Sequence, residues 1–522
     1  MEDLFVNLSS QNNQEFSQAL EIFVNNYASV TKFEFLDKEN FRCLVWGAIF
    51  SHLKNNEERA LHEKCLATLR ILSRDKTDLD NILTEDKLNV ILRCAGLETK
   101  QEVYVIENVT NEAQKLLCNI LFNSPKIQNI ITETSCLETV VDRISKYDNN
   151  VKHDTKLFDV RIIFLITALN ASTRQLVKLD LNGGVLLIEI LENILMNVSA
   201  DKKIMDNDAI LACEILKALF NLFMQPNDSH KEESQIYMRI VEILSKLLET
   251  ENMMHEENLQ SNIVNLLTVI PSIYFSALIT HSPENKDDNK TDQDRSTTII
   301  DVLVEFLNFK LEAKSNLIEN LTPVLTFFIR ICRTERLVRK HVRMKVLPPL
   351  KDVMRKPEDG TTIRNRLCKL LTNPITEIRD LAAEFLFVLC KEKAGRMIKY
   401  TGYGNAAGMF ANKGLLGPNH VSVEYSSDSE DSDTEEYEKY KDRINPITGC
   451  YEGPKSDPFE NMTEDQKEYE ALRLVNLVDQ LQRGGIIQPC RVGEDGQPVP
   501  IEHVLELEEH LPKQQIRKRE SK

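Results

Sequence analysis

Two stretches about 100 residues apart decide how this chain is read: Glu112-Ala113-Gln114-Lys115-Leu116-Leu117-Cys118-Asn119-Ile120 and Glu214-Ile215-Leu216-Lys217-Ala218-Leu219-Phe220-Asn221-Leu222. Both read Glu-x-x-Lys-x-Leu-x-Asn-apolar, and each is apolar over more than one face of a helix with 3.6 residues per turn. Such a helix cannot bury itself alone and must stack between neighbours. The offset is two to three units of the roughly 40 to 47 residues usual for helical repeats, so the stretches mark equivalent helices of an array. Leu66-Ala67-Thr68-Leu69-Arg70-Ile71-Leu72 closes a third segment in the same way.

Outward from these, residues from about Gln14 to Lys393 form a succession of amphipathic segments broken by Asn55-Asn56, Asp148-Asn149-Asn150 and Gly183-Gly184. Nothing alternates with period two for long. The 522 residues exceed what one core usually holds, and 42% hydrophobic content with 7% aromatics and one Trp is the composition of Leu-rich helices. The expected fold is all-α, an armadillo/HEAT-type superhelical solenoid over residues 1–400. Ser282 to Thr297 is charged and without aliphatic residues, so a disordered loop is expected at about 282–297. Residues 401–462 read as a glycine-containing turn, Gly402-Tyr403-Gly404-Asn405-Ala406-Ala407-Gly408, followed by an acidic linker. Residues 463–485 read as an amphipathic helix, and 486–522 as a C-terminal tail. Thr463-Glu464-Asp465-Gln466 is a capping box, Leu472, Val475 and Val478 start an apolar stripe, and Gly484-Gly485 ends the helix. A partner, or the solenoid, has to cover that stripe.

The net charge of −17 argues against a nucleic-acid partner, which needs basic surface to displace phosphate counterions. The eleven cysteines stand singly, without a Cys-x-x-Cys pair, and most lie in apolar runs, which points to reduced thiols in the cytoplasm. Met1-Glu2-Asp3-Leu4 lacks the basic and apolar regions of a signal peptide. Leu259 to Thr280 carries no charge over about 20 residues, enough to span a bilayer. Polar residues interrupt it and Pro271 splits it, so a buried helix pair and no integral membrane segment is expected. No phosphate-binding loop, metalloprotease helix or nucleophile elbow occurs, and the ten His are scattered. The chain reads as a binding protein, not an enzyme, with no cofactor and no metal.

Three sets of residues carry the candidate site. Asn119 and Asn221 hold matching positions in two repeats, where an amide can bond a ligand's backbone or serve its own repeat. Arg330, Arg333, Arg336, Arg339, Lys340, Arg343, Lys345, Lys351, Arg355 and Lys356 crowd about 27 residues, as a solvated helix face or as a docking face for phosphate. Arg70 and Arg74, four apart, add to the phosphate-docking reading with Arg339 and Lys340. In the acidic run Tyr425 to Tyr440, Ser427 and Ser432 each have Glu three residues on, the spacing required by an acidophilic kinase of the casein kinase 2 type. Phosphates there suit an Arg cluster, and a solubilising linker is the alternative.

Val346-Leu347-Pro348-Pro349-Leu350, Ala382-Ala383-Glu384-Phe385-Leu386-Phe387-Val388-Leu389-Cys390, the run from Ile398 through Gly408, and Ile444-Asn445-Pro446-Ile447-Thr448-Gly449 with the capped helix after it closely resemble the synembryn family. The resemblance implies a chaperone and guanine-nucleotide exchange factor for heterotrimeric G-protein alpha subunits. It implies that the C-terminal helix of the alpha subunit is held in a concave groove while the protein's own C-terminal helix makes a second contact, GDP leaving without covalent chemistry. On that implication Asn119, Asn123 and Asn221 are groove contacts. Arg339, Arg343 and Lys345 supply groove charge, and Leu472, Val475 and Val478 make the second contact. A monomer recruited to the cell cortex through its partner is expected. An armadillo-type adaptor without exchange activity is the alternative.

Overall fold

A computed structural model describes residues 2–8, 12–37, 41–98, 107–148, 151–224, 231–252, 254–281, 295–415, 434–453, 462–492 and 498–501. Their secondary structure is helical apart from three two-stranded ladders of two or three residues per strand and one isolated bridge, Lys203 to Glu251. The all-α reading of the sequence is therefore right. The chain divides into two compact units, Met1–Leu278 and Ile279–Lys522.

In the first unit an unbroken layer is formed by Asn13–Tyr27, Arg59–Leu72, Glu107–Asn123, His153–Leu169, Asp206–Phe223 and Glu256–Val269, each packed on the next. A second set of helices, Phe41–Lys54, Glu85–Cys94, Cys136–Ser145, Gly183–Met196 and Lys231–Leu248 among them, covers the other side. The repeat helices are buried over most of their circumference. In Asp206–Phe223, Ala209, Leu211, Ala212, Ile215, Leu216, Ala218, Leu219, Leu222 and Phe223 are all core. Local chemistry sets the boundaries. Asn55 caps one turn and Ser124 caps the helix that Pro125 opens, supplying oxygen to N–H groups that have no partner inside a helix. Gly183 is required because a Cβ there would stand 2.9 Å from the Val177 carbonyl oxygen.

The uncharged stretch Leu259–Thr280 is a buried helix, Glu256–Val269, broken at Pro271 and followed by a 3-10 turn, Ser272–Leu278. Among the described residues no helix is long and apolar enough to cross a membrane.

The second unit is built on Thr298–Lys310, Leu317–Thr334, Arg336–Val346, Ile363–Leu370, Thr376–Leu389, Ala394–Thr401 and Tyr403–Asn412, with Phe327, Phe328, Phe385 and Phe410 in its core. Two expectations change here. Residues 282–294 of the expected loop lie outside the described residues, but Arg295-Ser296 pairs antiparallel with Thr280-His281, which closes it. The stretch read as a glycine turn is helical from Tyr403 to Asn412, and within it only Gly402 takes a positive φ, +73°. Ala406 and Phe410, four apart, are buried, and that apolar face outweighs the helix cost of Gly404 and Gly408.

Buried cysteines behave as small apolar side chains: burial pushes the Cys136 and Cys368 thiols up to about 12. Two carboxylates cross-link helices instead. Burial alone would raise Glu214 and Glu384, but Arg161 and Lys217 on the first, and Lys413 and Arg333 on the second, hold both below the ordinary glutamate value. A depressed folded-state value stabilises above the unfolded value and is lost as pH falls through the folded one. Thermal midpoints should accordingly be insensitive to these groups near pH 7 and fall below about pH 4.5. Glu214→Gln should flatten that fall, and an unchanged slope would remove Glu214 from the account.

A candidate partner-binding face

The repeated motif is a cross-link between successive helices. Glu112 accepts from Arg70 Nε at 2.7 Å, on the preceding helix, and from Lys115 Nζ at 3.0 Å. One hundred residues on, Glu214 accepts from Arg161 Nη2 at 2.6 Å and from Lys217 Nζ at 3.1 Å. The motif asparagine works beside it. Asn119 Nδ2 donates to the Arg70 carbonyl at 3.0 Å and to Ser73 Oγ, and Asn221 Nδ2 to the Phe164 carbonyl at 3.0 Å and to Thr167 Oγ1. Asn123 donates to the Ser73 carbonyl at 2.9 Å, and Asn170 to that of Gln128. Helix C-termini leave carbonyls without intrahelical partners, and these amides satisfy several of the exposed or terminal oxygens. Of the two uses open to Asn119 and Asn221, service to their own array therefore takes the amide N–H groups.

Around this ladder lies a largely half-exposed band, of which no motif announced Phe158, Arg161 or Phe164. Lys115 Nζ stands 5.6 Å and Arg161 Cζ 5.4 Å from the centre of the Phe158 ring, and Lys217 Nζ 5.9 Å from Phe164. The contacts join Arg70, Glu112, Lys115, Phe158, Arg161, Glu214, Lys217 and Phe164 across four successive helices. Phe122, 64% exposed, flanks Asn119 and Asn123 on their own helix. Cations held over aromatic faces keep rigid amphipathic side chains in place before a ligand arrives, with four positive groups to two negative. Such a face can take an extended or helical peptide that offers apolar groups and carboxylates. It holds no nucleophile–base pair. Sequence reading missed Phe158, Arg161 and Phe164 because His153–Leu169 is apolar nearly all round, so its periodicity does not mark the open side.

Below the band, Asp159 is fully buried and accepts from Arg143 at both oxygens, from Gln114 Nε2 at 2.6 Å and from Tyr147 Oη at 3.0 Å. Arg143 also donates to the Ala95 carbonyl at 2.8 Å, tying the hub to the preceding repeat. Burial pushes the Asp159 carboxyl up, against the opposing pull of Arg143.

The basic face expected over Arg339 to Lys345 divides by helix geometry. Arg339 and Arg343 are buried, and Arg339 donates to the Cys332 carbonyl at 2.8 Å. Lys340 and Lys345 are exposed on the same helix, and Lys345 pairs with Asp301 at 3.1 Å. Positions 339 and 343 are one turn apart and share the side that also buries Val342 and Val346. They are core-side cations, where a solvent-facing groove charge was expected. Arg70 and Arg74, expected to add to a phosphate-docking patch, turn to partners within the chain, Arg70 to Glu112 and Arg74 Nη1 to the Ala28 carbonyl. Ser427 and Ser432 lie outside the described residues.

The capped helix is present as Glu464–Arg483, with the Thr463 and Gln466 capping box in place and no buried residue. Leu472 is 58% exposed, and Val475 and Val478 are half-buried. Leu474 and Leu477 are open as well.

Stacked helices, a preformed polar and aromatic band and an apolar helix open to solvent define a helical-repeat protein with faces suited to a protein partner. The sequence matches the family described as Ric8, guanine nucleotide exchange factor synembryn, over residues 65–497, and the chain belongs to that family. It is 35% identical to a protein of Drosophila pseudoobscura pseudoobscura named Chaperone Ric-8, covering 98% of each chain. It is 37% identical to Chaperone Ric-8A of Gallus gallus, over 84% of this chain and 85% of the relative. It is 36% identical to Chaperone Ric-8A of Danio rerio, over 94% and 95%.

Proposed function

We propose that this chain is a chaperone and non-receptor guanine-nucleotide exchange factor for heterotrimeric G-protein alpha subunits. It takes the C-terminal helix of the alpha subunit on the band from Arg70 to Phe164 and makes a second contact through Leu472, Val475 and Val478. The observation that carries the reading is its end-to-end relationship to proteins named as chaperones of the exchange-factor family, with a preorganised band on the repeat helices. Exchange needs no bond made or broken. A factor that binds the open, nucleotide-free alpha subunit more tightly than the closed, GDP-bound one shifts the population toward GDP release. The complex persists until GTP binds. The chain then acts as a monomer in the cytoplasm and reaches the cell cortex through its partner.

Release of a fluorescent GDP analogue from purified alpha subunits tests this directly. Acceleration is expected. Stable binding without acceleration would instead establish the adaptor reading.

Phosphorylation of Ser427 and Ser432 by a kinase of the casein kinase 2 type belongs to the same proposal. Each phosphate adds about −1.5 to −2 charges for the exposed cations of the Arg336–Val346 helix to meet. With Ser427→Ala and Ser432→Ala combined, kinase treatment should no longer speed nucleotide release. Equal stimulation of variant and parent would dismiss these two sites.

A further inference from the structure

Beyond Leu415 the chain is next described at Thr434, and from there to Gly453 it lies along the second unit as a strap. Thr434 Oγ1 donates to the Leu350 carbonyl, and Tyr451 N to that of Val353 at 2.7 Å. The strap's hairpin, Ile444-Asn445 paired with Cys450-Tyr451, presents its turn to the start of the helix Tyr403–Asn412. There the Tyr403 and Gly404 N–H groups donate to the carbonyls of Pro446 and Ile447 at 2.8 and 2.9 Å. Both are N-terminal donors without intrahelical acceptors, and Gly402 at the cap has no side chain to serve them. The strap takes the place of the missing cap.

The approach depends on two glycines set against each other. Gly402 has φ +73°, and a Cβ on it would stand 2.9 Å from the Ile447 carbonyl oxygen. Gly449 has φ +69°, and a Cβ there would stand 2.8 Å from Pro357 Cγ and 3.0 Å from Gly402 Cα. A side chain at either place forces backbone apart.

We infer that the Gly402–Gly449 contact is the anchor that positions the helix Glu464–Arg483 for the partner, which makes both glycines positioning residues in nucleotide release. This rests on the second-contact role proposed above for that helix. Nine peptide units separate Gly453 from Met462, which confines the helix start to about 30 Å from the anchored strap. If loss of the anchor also releases the Thr434–Leu350 and Tyr451–Val353 bonds, the next attachment is Leu415, 47 units away. Effective concentration falls with about the −3/2 power of tether length, so the helix meets a bound partner about tenfold less often.

The test uses full-length protein, purified alpha subunit at limiting concentration, nucleotide release, and the affinity of a peptide that copies the C-terminal helix of the alpha subunit. Deleting residues 464–483 should slow release, and unchanged release would overturn the second-contact role itself. Inserting a 38-residue Gly/Ser segment after Gly453, with the strap untouched, should slow release about tenfold. Peptide affinity should stay within about twofold and the Tyr403 and Gly404 amides should remain protected from hydrogen exchange. If the deletion slows release and the insertion does not, the positioning role is wrong. Gly402→Val combined with Gly449→Val should expose those two amides and slow release, by up to about tenfold where the Thr434–Leu350 and Tyr451–Val353 bonds give way as well. Protection retained in that variant would show that the glycine contact is not the anchor.

Discussion

Asp159→Ala is expected to lower the unfolding free energy of the first unit by about 3–5 kcal/mol, the usual cost of removing one partner from a buried ion pair. The carboxylate is fully buried and receives Arg143, Gln114 and Tyr147. Its loss strands the Arg143 guanidinium and two neutral donors at the junction of successive repeats. Gln114 is itself fully buried, so water cannot readily replace the acceptor. Because repeat stability is carried by neighbour interfaces, the damage should spread along the unit and not remain at one helix. Denaturant unfolding of the full chain measures it. A shift under about 1 kcal/mol would mean that the hub is solvated in solution. Asp159→Asn, which keeps one acceptor oxygen and the shape, should fall between parent and Ala variant.

The second large effect concerns the band. Phe158→Ala with Phe164→Ala removes the two rings beneath Lys115, Arg161 and Lys217. Half-exposed aromatic anchors at protein interfaces are each worth about 1–2 kcal/mol, so affinity for an alpha subunit should fall about 30- to 1000-fold if the two act independently. The melting temperature should move little, since neither ring belongs to the buried core. Calorimetry with purified alpha subunit separates the cases. Undiminished affinity would place the partner on another face. Arg161→Glu is a sharper probe of sign, because it sets a carboxylate against Glu214 and should cost binding and stability together.

The buried arginines also change which charge reversals are informative. Arg339→Glu with Arg343→Glu, the natural choice from sequence, would place two carboxylates on the packed side of a helix and disturb the fold itself. Lys340 faces outward and is the cleaner position for testing charge.

How much was legible beforehand follows from the range of each interaction. Helical repeats, the capped helix with its uncovered stripe and the broken helix at Pro271 were readable because periodicity, capping chemistry and proline act within a few residues of themselves. The motif Glu-x-x-Lys-x-Leu-x-Asn was visible as a repeat, but its purpose was not. Its glutamate and asparagine act on Arg70, Arg161 and carbonyls roughly 50 residues earlier, a distance that only stacking closes. The helical Tyr403–Asn412 escaped for the converse reason. Its glycines suggest a turn locally, and burial of Ala406 and Phe410 with two carbonyls from the strap decides otherwise.

By itself, then, the sequence determined the class of fold, the ends of those helices that carry a capping box or a proline, and the family. Tertiary structure decided which side of each helix is open. A helix apolar over most of its surface carries no mark of its exposed face until neighbours cover the rest, and the orientation of Arg343, Phe158 and Gly449 is settled by those neighbours.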